Sequence, residues 1–295
     1  MLKGDSTWTS SSLPGIVEKN HDPDLPETHK IGEDAGPMKN ELVMVLFSRK
    51  LLNAEVSARQ ITALSDFDGG LMRPDKCGEF EPIRTPFDAN DISEPVEWLA
   101  KPHGEFFYKG GRPIHFSGQM WNSTLPPTAR FPGRLFSNYW TGQFDGKWAV
   151  QVGIEKIEAF VSEMFRITGS DFAFLTTGAD RKAKNSDATS YSYKGLELDC
   201  GIPGLYWINL FSDGFAEWLG VTCFPKELAA SKKLEGGGVS LKFCDSPDQC
   251  RDYAILQRQR AAIEWLGSDK FFDIRFPNRE LKGPDWSTIP FPKAK

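Results

Sequence analysis

The sequence contains no apolar run long enough to cross a membrane. Its longest apolar run lies at about Leu42 to Phe47, whereas a bilayer span needs roughly 20 predominantly apolar residues. Residues 1–12 are polar and carry a single lysine with no apolar segment behind it, which does not fit a secretory signal. These absences predict a cytoplasmic protein with no membrane segment.

Disulfide and metal-ligand patterns are missing as well. The five cysteines form no CxxC pair and their number is odd, so we expect reduced, buried thiols in a cytoplasmic protein. The four histidines stand at neither HxxxH nor HExxH spacing, and a zinc site needs three or four converging ligands. The sequence therefore predicts no metal and no cofactor.

Catalytic motifs are also absent. The chain has no GxSxG nucleophile elbow, and the glycines at 236–238 are not followed by the Gly-Lys-Ser/Thr of a phosphate-binding loop. We expect no catalytic residues and no enzymatic activity. The alternative is an unrecognised hydrolase that uses carboxylates such as Glu79, Asp88 and Asp91, which would converge in a pocket and have perturbed pKa values.

Basic residues are outnumbered by acidic ones, so the formal net charge is −5 and the pI is about 5.5. This balance argues against direct nucleic-acid binding. The acidic excess is concentrated in residues 66–97, which hold nine acidic and three basic side chains. The segment is either a solvated loop or an electronegative face that steers a basic protein partner. On the second interpretation the expected contacts are Glu79, Glu81, Asp88, Asp91, Glu94 and Glu97, with Trp98 as the aromatic anchor.

Proline and glycine divide the chain into segments. Residues 1–38 are polar and contain several prolines, which predicts an extended N-terminal arm followed by a single α+β domain over 39–295. Within that domain, residues 66–133 are expected to form a loop-rich, acidic insertion. The strands predicted on either side of this insertion are Leu42–Phe47 before it and, after it, a hairpin of Arg134–Trp140 and Lys147–Val152 around Asp145-Gly146.

Two later stretches show the order strand, helix, strand. The first has a helical apolar stripe over 154–169 that leads into a strand at Asp171–Thr176. The second has a strand from Val239, a helix over Asp248–Leu266 and an alternating run at Phe272–Phe276. One-sided strand patterns favour an α+β fold, with a mostly antiparallel or mixed sheet and helices packed on one face.

The most apolar and aromatic stretch runs from Leu196 to Pro225. It predicts a Pro-Gly turn, then a short apolar run and then a short helix closed by a glycine. The composition is that of a core segment rather than of an active site. The three parts are Pro203-Gly204, Leu205–Phe211 and Phe215–Gly220.

This stretch resembles the immunity protein 52 family, a group of bacterial immunity proteins found beside polymorphic toxins. The resemblance rests on Cys200–Phe211 and Glu217–Gly220, where a Pro-Gly turn, an aromatic-Trp-x-Asn run and a helix ending at Leu-Gly occur in the family's order. Phe271-Phe272-Asp273 and Pro284-Asp285-Trp286 are similar to its C-terminal end. The motif residues, which we expect to be structural, are Pro203, Gly204, Tyr206, Trp207, Asn209, Trp218 and Gly220.

The resemblance implies a non-enzymatic cytoplasmic inhibitor that binds and neutralises a cognate secreted toxin. The expected toxin is a nuclease effector of the type VI secretion system, hence a basic protein partner, with neither nucleic acid nor membrane bound directly. The alternative is an aromatic-rich module that binds carbohydrate or peptide. It would present a solvent-facing strip of rings such as Trp98, Trp121 and Trp140.

Overall fold

The structure is a computed structural model that describes residues 41–111, 115–122, 138–146, 151–185, 198, 201–276 and 279–292. Several predicted features lie outside these residues, namely the arm over 1–38, residues 134–137 and 147–150 of the predicted hairpin, Cys200 and the side chain of Trp140. The division of the chain into an arm and a single domain therefore stays a prediction.

The described residues form one ten-stranded sheet and six α-helices, which confirms the predicted α+β class. Every ladder between neighbouring strands is antiparallel, and the order across the sheet is β3-β2-β4-β5-β6-β1-β7-β8-β10-β9. The strands are β1 Glu41–Ser48, β2 Lys76–Gly78, β3 Thr85–Pro86, β4 Gly104–Gly110, β5 Phe116–Asn122, β6 Asn138–Asp145, β7 Phe172–Thr177, β8 Ile208–Phe211, β9 Ala230–Lys233 and β10 Val239–Lys242. The helices are α1 Ala54–Gly70, α2 Ser93–Ala100, α3 Ile154–Thr168, α4 Gly178–Asn185, α5 Asp213–Leu219 and α6 Tyr253–Leu266.

The predicted strand at Leu42–Phe47 is confirmed, and the structure places it in the middle of the sheet. It lies in β1, which pairs with β6 on one side and β7 on the other and is buried along both faces. A strand buried on both faces needs no polar alternation, which explains its continuous apolar sequence. Helix α1 follows and is capped by Asn53, whose Oδ1 accepts a hydrogen bond of 2.9 Å from the Val56 backbone N–H.

The helix and the second strand of the first predicted strand–helix–strand unit are also confirmed. The apolar stripe over 154–169 forms α3, whose Ile157, Val161 and Met164 are buried on one side. Gly169 ends the helix with φ 56°, a left-handed conformation that glycine adopts at little cost. The chain then enters β7, which is buried throughout.

Two predictions about residues 66–152 are corrected by the structure. The stretch expected to be a loop-rich insertion contains β2, β3, α2, β4 and β5, and the last two form a seven-pair antiparallel ladder. The predicted hairpin strand at Lys147–Val152 is wrong in its described part, since Gln151 and Val152 are helical. Strand β6 has no free side for such a partner, because β5 and β1 occupy both of its edges.

The second strand–helix–strand unit lacks its last strand. Phe271 makes only an isolated parallel bridge with Ile202, and the Phe276 N–H then donates to the Asp273 carbonyl to close a turn. The sequence alternation does not correspond to a buried and an exposed face, because the neighbours Phe271 and Phe272 are both buried and Phe276 is 59% exposed. The predicted helix over Asp248–Leu266 is likewise divided into a short 3-10 helix, Pro247–Arg251, and α6.

The two halves of the sheet differ in how their faces are covered. Helices α1, α2 and α3 pack on one face, and in the β7–β8 half the opposite face is covered as well, because Phe215 of α5 contacts Phe172 and Phe211. In the β4–β5 half, that opposite face carries the partly exposed side chains Phe107, Gln119 and Trp121. Among the described residues, no helix is long and apolar enough to span a bilayer.

Candidate functional site

The six predicted carboxylates lie together at the β2–β3 end of the sheet, on a surface that we call the acidic edge. Glu79 and Glu81 are in the turn between β2 and β3, Asp88 and Asp91 lie between β3 and α2, and α2 carries the other two. Five of the six are exposed and Glu79 is half-buried. The residues of the acidic edge are Glu79, Glu81, Asp88, Asp91, Glu94 and Glu97.

Hydrogen bonds from the backbone fix the carboxylates between β3 and α2. Asp88 Oδ1 accepts from the Asn90 N–H at 2.9 Å, and Asp91 Oδ1 accepts from the Ser93 N–H at 3.1 Å as well as from the Ser93 hydroxyl. The bonds from Ser93 lower the pKa of Asp91 from its ordinary value, so this carboxylate stays ionised. A general acid needs a raised pKa, so Asp91 lends no support to the hydrolase alternative.

One carboxylate of the β2–β3 turn and one carboxylate of α2 meet at a shared lysine. Lys101 Nζ lies 3.7 Å from Glu79 and 3.8 Å from Glu97, so the two acids flank one cation. Burial, together with the charge of Glu94, raises the pKa of the Cys77 thiol in β2 to about 11. Residues 79–101 thus hold six carboxylates and only two cations, Arg84 and Lys101, which leaves a net negative surface.

The structure corrects the predicted role of Trp98. Helix α2 buries Pro95, Trp98 and Leu99 toward the sheet and exposes Glu94 and Glu97. The Trp98 ring is only 9% exposed and belongs to the core, so it is not available as an exposed anchor or as part of an aromatic strip. The spacing i, i+3, i+4 of its apolar residues is the sequence signal for this amphipathic helix.

Sequence reasoning missed Phe80, which lies between Glu79 and Glu81. Its side chain is 70% exposed, more than any other large apolar side chain in the described part of the chain. The available signal was an aromatic residue between two acids and just before Pro82, outside any helical or strand periodicity. Phe80 therefore adds an apolar feature to the acidic edge.

The family-motif residues lie far from this surface, in a segment that we call the hub, residues 201–220. Asn209 Oδ1 accepts from the Tyr206 N–H and its Nδ2 donates to the Tyr206 carbonyl, both at 2.9 Å. The Tyr206 hydroxyl donates to the Pro203 carbonyl at 3.3 Å, and its ring stacks on Phe174 with centroids 3.9 Å apart. Tyr206 and Asn209 are fully buried, which fits the expected structural role.

The remaining motif residues complete the packing of the hub. The Trp207 indole N–H donates to the Cys244 carbonyl at 2.8 Å, and the ring is fully buried. Trp218 stacks on Phe215 with centroids 5.2 Å apart. Gly204 and Gly220 have φ of 142° and 89°, values that side-chain-bearing residues rarely adopt. The motif therefore encodes turns and core contacts.

A buried polar network ties the hub to the helices behind it. Lys184 Nζ donates to the Asp180 carboxylate at 2.8 Å, to the Leu205 carbonyl at 2.8 Å and to Gln259 Oε1 at 2.9 Å. Thr176 Oγ1 donates to the same Asp180 at 2.7 Å. All three protons of the ammonium group have acceptors, so this network holds the hub in place rather than presenting a free amine.

A second buried ion pair holds the C-terminal segment. Arg49 makes two hydrogen bonds to Asp171, of 3.0 and 2.8 Å, through Nε and Nη2. Its remaining donors reach the carbonyls of Trp286, Ile289 and Pro290, each at 3.0 Å. Among the described residues, no group of three or more His, Cys, Asp or Glu side chains could hold a metal ion.

Comparisons with known proteins give a distant structural likeness. No protein-family model and no curated protein matches this chain, so the resemblance to the immunity protein 52 family stays a prediction. A solved structure of the Pseudomonas aeruginosa T6SS protein PA0821 is 12% identical, with 81% of this chain and 86% of that chain covered and a TM-score of 0.44. A likeness of this size carries no argument about function.

Proposed function

We propose that the chain is a non-enzymatic immunity protein that binds and neutralises a cognate secreted toxin in the cytoplasm of the producing cell. The toxin we propose is a nuclease effector of the type VI secretion system. The observation that carries the proposal is the acidic edge, where six carboxylates meet only two cations on an exposed part of the fold. The resemblance of the hub sequence to immunity protein 52 supports the same function.

The physical argument is charge complementarity. A nuclease grips phosphates with lysine and arginine, so its substrate-binding surface is positive. A negative surface on an inhibitor attracts such a protein from a distance and raises the association rate above that of neutral partners. An inhibitor bound there would exclude the nucleic acid by occupying its site. The carboxylates of the acidic edge would then stand in for the phosphates of the substrate.

The test is co-purification with the product of the adjacent gene, followed by a nuclease assay of that product. We expect a stable complex and loss of DNA or RNA cleavage when this protein is added in equimolar amount. An assay with heat-unfolded protein controls for unspecific inhibition by an acidic chain. The proposal would be contradicted if no complex forms, or if the adjacent gene's product still cleaves nucleic acid while this protein is bound to it.

A second candidate function, an aromatic ligand-binding module, has one observation in its favour. Phe107 and Trp121 lie partly exposed on the same face of β4 and β5, next to Gln119 and Glu105, which are joined by a 3.2 Å hydrogen bond. Aromatic faces beside amides are typical of carbohydrate and peptide sites. Binding of a glycan or peptide library that is lost in Trp121→Ala and kept in Trp265→Ala would favour this function.

A further inference from the structure

Phe80, the most exposed large apolar side chain in the described part of the structure, lies in the turn of the β2–β3 hairpin. Strands β2 and β3 pair through Lys76–Pro86 and Cys77–Thr85, and Phe80 projects from the turn between them with 70% of its surface exposed. A free phenylalanine at this position costs solubility, since exposed apolar area is unfavourable in water.

The backbone holds this hairpin in one position. The Phe87 N–H donates to the Asp75 carbonyl at 3.1 Å and the Asp75 N–H donates to the Lys109 carbonyl at 2.9 Å, which ties the base of the hairpin to β4. At the tip, the turn folds closely over Gly78, where an added Cβ would lie 3.1 Å from the Phe80 carbonyl oxygen. The backbone of Phe80 is therefore presented at a fixed place on the sheet edge, and little loop entropy is lost when it binds.

The surroundings of Phe80 are negative. Glu79 and Glu81 flank it in sequence, and Lys101 places Glu97 beside Glu79. An apolar centre within a charged rim is the arrangement of a protein-binding hot spot, in which an aromatic residue supplies most of the affinity. The rim charges fit a partner surface rich in lysine and arginine.

We propose that Phe80 is the anchor of the toxin interface and inserts into an apolar pocket that is bordered by basic side chains on the partner protein. This inference rests on the proposed function and deepens it. Pairing of a partner strand with the sheet edge is the weaker geometry here, because β3 has only two residues and one of them is Pro86. Docking through the Phe80 side chain needs no such pairing.

The two parts of the surface have different kinetic roles. Carboxylates at the rim act before contact and set the association rate, which depends on salt. Phe80 acts only in the formed complex, because apolar burial and packing have short range, so it sets the dissociation rate. Removing the ring shortens the life of the complex and leaves the rate of encounter unchanged.

The test compares Phe80→Ala with Phe276→Ala, whose ring is 59% exposed outside the acidic edge. The probe is a catalytically inactive form of the adjacent gene's product, immobilised for surface plasmon resonance. We expect Phe80→Ala to raise the dissociation rate roughly 30-fold, the scale of a hot-spot residue, and to change the association rate by less than about twofold. Phe276→Ala should leave both rates unchanged, and Phe80→Leu should recover part of the lost affinity.

Three outcomes separate this inference from the proposed function. No binding by the wild-type chain overturns both. Wild-type binding with a dissociation rate that Phe80→Ala leaves within about twofold overturns the anchor alone, because a hot spot requires a larger change. Equal binding of the wild-type chain to hen lysozyme, a basic protein without the proposed pocket, shows charge attraction only and also overturns the anchor. The expected pattern is tight binding to the adjacent product and none to lysozyme.

Discussion

The hub and the acidic edge are opposite kinds of region in one sheet. The hub is rich in aromatic residues, buried on both sides of β8 and held by hydrogen bonds through Asn209, Trp207 and Lys184. The acidic edge is polar and largely exposed, and it is held by a short hairpin, a turn and helix α2. Five strands lie between β2 and β8, which separates the two regions by about 29 Å along the sheet.

The difference between these two regions shows that a recognisable sequence motif can mark the core of a fold and not its binding surface. The Pro-Gly turn and the aromatic-Trp-x-Asn run are recognisable because core positions and turn glycines tolerate few residue types. A surface that works by charge can be built from many arrangements of Asp and Glu, so it leaves no fixed pattern. The recognisable part of the chain therefore carries the fold, and the proposed binding surface lies where the sequence is least constrained.

The largest expected effect tests the hub. Trp207→Ala removes a fully buried indole and leaves the Cys244 carbonyl without its donor. We expect the free energy of unfolding to fall by about 4 kcal/mol, as for large-to-small changes in a core. Urea denaturation followed by fluorescence measures it. Trp207→Phe should cost less, and a wild-type midpoint in Trp207→Ala would refute the structural role.

The next effect tests the buried ion pair. Asp171→Asn leaves the Arg49 guanidinium buried without a countercharge, which should cost about 3 kcal/mol. The matched control is Asp273→Asn, because the Asp273–Arg275 pair is partly exposed and contributes within about 0.5 kcal/mol. Thermal unfolding of the two variants at one pH makes the comparison. Equal melting temperatures would show that Arg49 is held by the carbonyls of the C-terminal segment alone.

Charge reversal at the acidic edge should slow binding and leave the free energy of unfolding almost unchanged. Glu81→Lys with Glu94→Lys changes two exposed carboxylates, so the free energy of unfolding should stay within about 0.5 kcal/mol. The association rate with the adjacent gene's product should fall about tenfold at low salt, with a smaller effect at high salt. Glu227→Lys with Glu280→Lys makes the same change of charge at exposed positions elsewhere. Equal rates in the two double variants would remove the acidic edge from the interface.

The smallest effect concerns Asp91. Because the bonds from Ser93 lower its pKa in the folded protein, the ionised form stabilises the fold above the ordinary value of 3.8. That contribution is lost as the pH falls through the lowered folded-state pKa. A carboxyl NMR titration should place the Asp91 midpoint below 3.8. Ser93→Ala should raise the midpoint again, and an unchanged midpoint would assign the shift to another cause.

Local patterns predicted the parts of the fold whose signals are local. The continuous apolar run of β1 and the apolar stripe of α3 each depend on a few neighbouring residues. The strands β4 and β5 were missed because Phe107 and Trp121 place large aromatic residues on the less buried face, which blurs the alternation. Residues 272–276 alternate without being a strand, since in the described part of the chain the only bridge at this point is that of Phe271 with Ile202.

The sequence predicted the charged residues of the candidate site but not its exposed apolar residue, Phe80. The carboxylates could be located because each lies in a short segment where charge counts are informative. Whether Trp98 or Phe80 faces solvent depends on which elements α2 and the β2–β3 turn pack against, and that information is tertiary. The apolar spacing of Pro95, Trp98 and Leu99 was the one local clue that Trp98 is buried.

The central place of β1 in the sheet has a consequence for biosynthesis. Its apolar run is made before both of its partner strands, which begin at Asn138 and Phe172. At translation rates of about 5–20 residues per second, β1 waits roughly 5–20 s for its first partner. An unpaired apolar strand without charge is prone to aggregate. Crosslinking of ribosome-stalled chains should therefore find holding chaperones on β1 before β6 is made, and none after β7 is complete.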